Sequence, residues 1–110
     1  MTLTGQCSKD FNEWYLSQDF SKQGQYEYGQ RKALNMFNAM MLPFRWGVYV
    51  DFFDSVGLRI GVSPVFENDF WVYLNDEEIN DEEINDVDFK TRSEARTAAI
   101  KKANEIYNAQ

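Results

Sequence analysis

The densest chemistry-bearing feature of the chain is a run of carboxylates. Between Asn75 and Asp88 stand Asp76, Glu77, Glu78, Asp81, Glu82, Glu83, Asp86 and Asp88, with no basic residue among them. Most belong to a perfect tandem repeat, Asn75-Asp-Glu-Glu-Ile79 and Asn80-Asp-Glu-Glu-Ile84, followed by Asn85-Asp86-Val87. Carboxylates at this density can hold a hard cation, exchange protons or dock on a basic surface. An EF-hand-type calcium loop needs ligands at alternate positions, a glycine at the sixth and a glutamate at the twelfth, and the window contains no glycine. Acid–base catalysis by a carboxylate pair needs two environments that push the pKa values apart, which a run of solvated acids does not supply. Docking remains. Asp76, Glu77, Glu78, Asp81, Glu82 and Glu83 are the candidate contacts to a basic protein surface, such as one that otherwise holds phosphates, through an attraction that weakens steeply with salt.

A second candidate is a set of aromatic residues at alternating positions. Tyr49, Phe53, Trp71 and Tyr73, with Arg59 between them, fall on one face of a sheet if residues 46–53, 58–62 and 70–74 are strands. Aromatic rings interleaved with arginine can stack unpaired bases. Little accompanying positive charge supports that use, and the N-terminal helices need a surface on which to bury their own aromatic faces.

Other chemistry is poorly provided for. The chain has no histidine and a single cysteine, Cys7, which therefore lacks a histidine base and an internal disulfide partner. Neither a glycine-rich phosphate loop nor a nucleophile elbow is present. The expectation is a non-enzymatic protein with no cofactor and no metal centre.

In 110 residues the formal charge is −7, which disfavours nucleic acid and anionic membrane as partners. That charge is local: outside the acidic window ten acids face eleven Lys and Arg, leaving a body of about +1. With 44% hydrophobic and 16% aromatic residues, one domain spanning 1–110 can bury a core, with the acidic stretch as a loop at about 75–86. No stretch has the 18 or more apolar residues of a membrane span, and Met1–Cys7 lacks the pattern of a signal peptide, so a cytoplasmic location is expected.

The elements that must position these residues follow from periodicity. Ser8 is placed to cap a helix running to about Phe20, with Phe11, Trp14 and Tyr15 on its buried stripe. Residues 21–25 read as a connector, and a second helix over 26–41 places Ala33, Leu34, Phe37, Met40 and Met41 on one face, as core, before Pro43 closes it. Trp46 to Phe53 alternates like a strand, residues 54–57 supply turn chemistry, and Leu58, Ile60 and Val62 continue a hairpin. A third strand covers Phe70 to Leu74 and a short fourth is placed near Val87 to Lys90. A five-residue period keeps Leu74, Ile79, Ile84 and Phe89 on no common face of a helix or a strand, which is why the acidic window reads as a loop. The capping box Thr91-Arg-Ser-Glu94 opens a final helix whose inner stripe is Ala95, Ala98, Ala99, Ala103 and Ile106, with Lys101, Asn104 and Glu105 outward. The predicted fold is α+β: two N-terminal helices, an antiparallel meander of three or four strands, and a C-terminal helix packed on the sheet.

Gly47-Val-Tyr-Val-Asp-Phe-Phe-Asp-Ser-Val-Gly57, Thr91-Arg-Ser-Glu-Ala-Arg96 and Ala103-Asn-Glu-Ile-Tyr-Asn108 resemble segments of small proteins from bacteriophages and mobile elements. The resemblance carries no site. It implies an accessory factor that binds a host or phage protein. The expected function is protein binding through the acidic loop; the alternatives are a nucleic-acid-binding accessory protein using the aromatic sheet face, and an enzyme of unassigned reaction. The oligomeric state is not fixed by sequence.

Overall fold

The structure, a computed structural model, describes residues 3–66, 69–75, 77–78 and 89–110. Helix α1 is Gly5–Ser17 and is followed by a single 3-10 turn, Asp19–Ser21. Its stripe is as expected: Phe11 and Tyr15 are buried and Trp14 packs against them. Its start is not. Ser8 caps nothing, because the helix begins three residues earlier and its N-cap, Thr4, makes no side-chain cap of its own. Two asparagines near the C-terminus of the chain cap it instead. Thr4 N–H donates to Asn104 Oδ1 at 3.0 Å and Cys7 N–H to Asn108 Oδ1 at 2.8 Å, while the Asn108 amide donates back to Thr4 O at 3.0 Å. Gly5 has φ +60°, and a Cβ there would stand 3.1 Å from Asn108, so this close approach needs glycine.

The expected connector is structured. Lys22–Tyr28 forms α2, tied to the end of α1 by Lys22 and Gln25, whose side chains both donate to Leu16 O. The single helix expected over 26–41 is broken at Gly29, where φ 84° and ψ 167° define a conformation that side chains disfavour, and α3 is Gln30–Ala39. Met40 and Met41 are extended, and α4, Leu42–Ser55, follows. Pro43 therefore sits in the first turn of a new helix, where its missing N–H costs nothing.

The largest correction is at 46–53, which is helix and not strand. The buried side chains of α4 are Arg45, Tyr49, Phe52 and Phe53, at i, i+4, i+7 and i+8, so the valines between them are helix flanks. Tyr49 and Phe53 are thus core residues. Residues 54–57, expected as a hairpin turn, form the helix stop: Gly57 N–H donates to Asp54 O and Leu58 N–H to Phe53 O, with Gly57 at φ 84°.

The sheet is an antiparallel hairpin of β1, Ile60–Phe66, and β2, Asp69–Leu74, with Ile60 opposite Leu74 and Val62 opposite Val72. Pro64 lies where the register slips between Pro64 and Phe66, a position a proline tolerates. Among the described residues the expected meander is reduced to this hairpin and short additions, because its first member is α4, and Val87 and Asp88 of the expected fourth strand lie outside the described residues. What joins β2 on its far edge is short: Glu77–Glu78 pairs with Leu74 and Tyr73 by way of Asn75, at φ 54°, and Phe89 makes a single bridge to Phe70. Helix α5, Arg92–Ala109, is capped by Thr91, whose Oγ1 accepts from Glu94 N–H, and packs on the hairpin through buried Ala95, Ala99, Ile100 and Ala103. Asn104, expected outward, is buried because it holds α1.

One contiguous core joins these parts. Phe11 is its hub, with the rings of Tyr15, Phe37, Tyr49 and Phe52 within 5.2–5.9 Å of its own. The radius of gyration, 14.7 Å, exceeds the roughly 13 Å of a compact chain of this length. Helices α2 and α3 pack chiefly on each other and on α1 and its 3-10 turn, away from the sheet and α5.

Candidate functional site

The residues singled out in the sequence are not gathered into one place. Asp76, Asp81, Glu82 and Glu83 lie outside the described residues. Glu77 and Glu78 are placed by backbone pairing on the edge of β2. The first asparagine of the repeat is structural. Asn75 Oδ1 accepts from Arg59 N–H at 2.9 Å and Asn75 N–H donates to Arg59 O at 2.7 Å, latching the entry to β1. The expected aromatic sheet face does not form. Tyr49 and Phe53 are in α4 and inaccessible, Trp71 and Tyr73 are half-buried on β2, and Arg59 precedes β1. Of the basic residues near the C-terminus, Arg92 and Arg96 lie over the rings of Phe70 and Trp46, at 5.2 and 5.5 Å, and Lys90 pairs with Asp69.

Cys7 is fully buried, and burial, followed by the charge of Asp10, pushes its thiol up to about 11. It is a small core side chain with no thiolate to offer near neutral pH. The Tyr107 hydroxyl donates to the Asp10 carboxylate, which holds Asp10 below the usual carboxylate range and raises Tyr107 to about 12. This pair clamps α1 to α5 beside the asparagine cap and lines neither of the two hollows described below. Among the described residues no group of three His, Cys, Asp or Glu side chains could hold a metal ion. No helix among them is long and apolar enough to cross a membrane.

What the sequence reading missed is on α2 and α3. Of the large hydrophobic side chains that are exposed among the described residues, all but Val56 lie between Phe20 and Phe44. Phe20, Met36 and Met40 rim a groove of about 150 Å³ whose inner side is formed by Tyr15, Ala33 and Phe37. The elements explain its shape. The 3-10 turn, held by Ser21 Oγ donating to Gln18 O, throws Phe20 outward while its ring still touches Trp14 and Tyr15. Helix α2 approaches α3 at Gly24, where a Cβ would make ordinary contact, 3.8 Å, with that of Ala33. On α3 the apolar stripe is wider than the core beneath it: Ala33 and Phe37 are buried, while Met36 is 44% and Met40 49% exposed. Helix α2 buries no residue at all.

The stripe expected to be core is therefore half core and half surface. Arg45, buried, donates from Nε to Met40 O and from its guanidinium to the Tyr49 hydroxyl, so the methionine rim is fixed at the end of α3. Met41 and Phe44, which follow in the chain, are 70% and 72% exposed. The signal available in sequence was Met36 and Met40, one turn apart beside Ala33 and Phe37, in a helix already supplied with enough apolar residues for its core. A second hollow, about 300 Å³, runs along α5 between Phe89 and Lys101. Its lining is Phe89, Thr97, Ala98 and charged side chains.

Comparison with protein-family models, with curated proteins and with solved structures gave no match.

Proposed function

We propose that this chain is a non-enzymatic protein-binding module whose contact surface is the methionine- and phenylalanine-rimmed groove of α2 and α3. The observation that carries the reading is the exposure of Phe20, Met36 and Met40 around one groove, in a stretch of chain where Met41 and Phe44 are exposed as well. Contiguous exposed apolar surface marks contact sites. Methionine suits such a surface because its unbranched, polarizable side chain repacks against differently shaped partners. The acidic window adds a separate, salt-sensitive attraction to a basic surface, and deletion of Asn80 to Ile84 should weaken capture of a partner at low salt more than at high salt. An accessory role in a phage or mobile element accords with the resemblance of three segments of the chain to such proteins.

The test is site-specific photocrosslinking in cells. A photoreactive phenylalanine at Phe20 or Phe44 should give discrete protein adducts, whereas the same group at Glu13 or Asp51, which are exposed on α1 and α4, should give few. Equal adduct yields at all four positions would remove the groove from the function.

A further inference from the structure

We propose that Arg92 and Arg96, at the N-terminal end of α5, form a binding site for a single phosphate group, separate from the groove on α2 and α3. Successive residues turn a helix by about 100°, so the two arginines point within about 40° of each other, in the sector bounded by buried Ala95 and Ile100. The other members of that sector, Ala99 and Ala103, are core. A guanidinium on the core side of a helix gives up hydration, and a carboxylate partner normally offsets that cost. Among the described residues neither arginine has one. Asp69 is taken by Lys90, and Glu94, two positions from each arginine, points about 160° away from both. The arginines lie against rings instead, Arg92 at 5.2 Å from the centre of Phe70 and Arg96 at 5.5 Å from that of Trp46.

A ring face holds a guanidinium flat and leaves its N–H edge for a ligand, with less freedom to lose on binding. Arg96 is partly buried, and its Nε is inaccessible and has no hydrogen-bond partner. A buried donor without an acceptor is costly and uncommon in a native fold. An oxyanion held side-on across Nε and one Nη supplies the missing acceptor. One such fork saturates a carboxylate, whereas a phosphate monoester offers three terminal oxygens and a charge of about −2, enough for two arginines one turn apart. A nucleic-acid strand would bring many phosphates against a chain of charge −7, so the ligand is one phosphate group, free or carried on a phosphorylated side chain.

The Nε–Hε NMR signals of the arginines in the full chain read the site directly. Inorganic phosphate, a phosphoserine peptide and its unphosphorylated form are titrated at constant ionic strength, with chloride as the balancing salt. The expected result is saturable shifts of the Arg92 and Arg96 signals with both phosphates and none with the unphosphorylated peptide. A phosphopeptide that binds about tenfold tighter than inorganic phosphate, or better, assigns the site to phosphorylated side chains; a smaller difference assigns it to the free ion. Affinity should rise several-fold between about pH 5 and 7, as the ligand loses its second proton near pH 6, because the chain has no histidine to titrate there. Arg96→Lys keeps the charge but loses the fork, and Arg92→Gln alters an exposed side chain; each should weaken binding about tenfold. Shifts that stay linear, that chloride reproduces or that survive Arg92→Gln unchanged would overturn the proposal. So would binding that appears only after deletion of Asn80 to Ile84, since the arginines would then belong to the chain's own acids. None of these outcomes bears on the groove, whose photocrosslinking test stands apart.

Discussion

Replacing Asn108 with alanine tests the most consequential long-range contact in the fold. The substitution removes the acceptor for Cys7 N–H, 2.8 Å away, and the donor to Thr4 O, 3.0 Å away. The two losses are unequal. Thr4 is exposed, so water rehydrates its carbonyl at little cost, but Cys7 is fully buried and its amide sits in the first turn of α1, where no intrahelical acceptor exists. Loss of a helix N-cap costs about 1–2 kcal/mol, and stranding a buried donor puts Asn108→Ala in the upper part of that range. With a urea m-value of about 1.5–3 kcal/mol/M, the unfolding midpoint should fall by roughly 0.5–1 M. Asn108→Asp is the control: it keeps an oxygen for Cys7 N–H and should recover more than half of the loss. Asn104→Ala should cost less, about 1 kcal/mol, because both of its partners belong to exposed Thr4. Since both asparagines act on Thr4, the double variant should depart from additivity. An Asn108→Ala midpoint within about 0.2 M of the parent, at unchanged m-value, would refute the claim that α5 caps α1. Because α1 carries Tyr15 into the groove, the cap variants should also weaken binding there, whereas Met40→Glu should affect binding alone.

Three further outcomes are expected. The Asp10–Tyr107 hydrogen bond should make stability depend on pH at both extremes: Asp10 is lowered from 3.8, so its contribution is present above that value and is lost as pH falls through its folded pKa. Tyr107 is raised from 10.0 to about 12, so its contribution is complete below pH 10 and is lost as pH rises through 12, and Tyr107→Phe should flatten both limbs in thermal melts taken across pH. Cys7, buried and raised to about 11, should react with a disulfide reagent at pH 8 only at the rate of global opening, so a reaction as fast as that of the denatured chain would contradict its placement. Gly47 lies inside α4 with open space around it and no positive φ, so Gly47→Ala should raise stability by about 0.5–1 kcal/mol in urea unfolding; a loss would speak for the strand that the residue pattern suggested.

Legibility in the sequence followed the range of the interaction. Helix α5 could be read because its start is a local capping motif and its small alanine stripe is continuous, and the buried face of α1 could be read from Phe11, Trp14 and Tyr15. Residues 46–53 misled because Val48 and Val50 alternate with Tyr49 and Asp51 as a strand would. The helical period was also present, in Arg45, Tyr49, Phe52 and Phe53, but an arginine among its members disguised the buried stripe. Gly29 interrupts 26–41 through a backbone conformation that composition around it does not announce. Asn104 and Asn108 could not have been found locally, since their partners are 100 and 101 residues away. The groove was misjudged for another reason. Its residues do share a face of α3, and the error was to assign all of that face to the core when the core takes Ala33, Phe37 and part of Leu34 and leaves Met40 and Met41 exposed.

The contrast between the two flanks of the molecule sharpens where function should lie. Where α5 meets the hairpin, the contact is made by alanines, Ile100 and Val72, all inaccessible, a surface closed by short side chains against β-branched ones. On the opposite flank, α2 and α3 combine large, adaptable side chains with incomplete cover, held by polar ties that do not depend on burial: Lys22 and Gln25 to Leu16 O, Ser21 to Gln18 O, Arg45 to Met40 O. Those ties keep the backbone in place while leaving the apolar faces open, at a cost in exposed surface that folding of the monomer does not recover. A fold selected only for stability would cover or replace Phe20, Met40 and Phe44, and burying them against a partner is the role in which their exposure is useful.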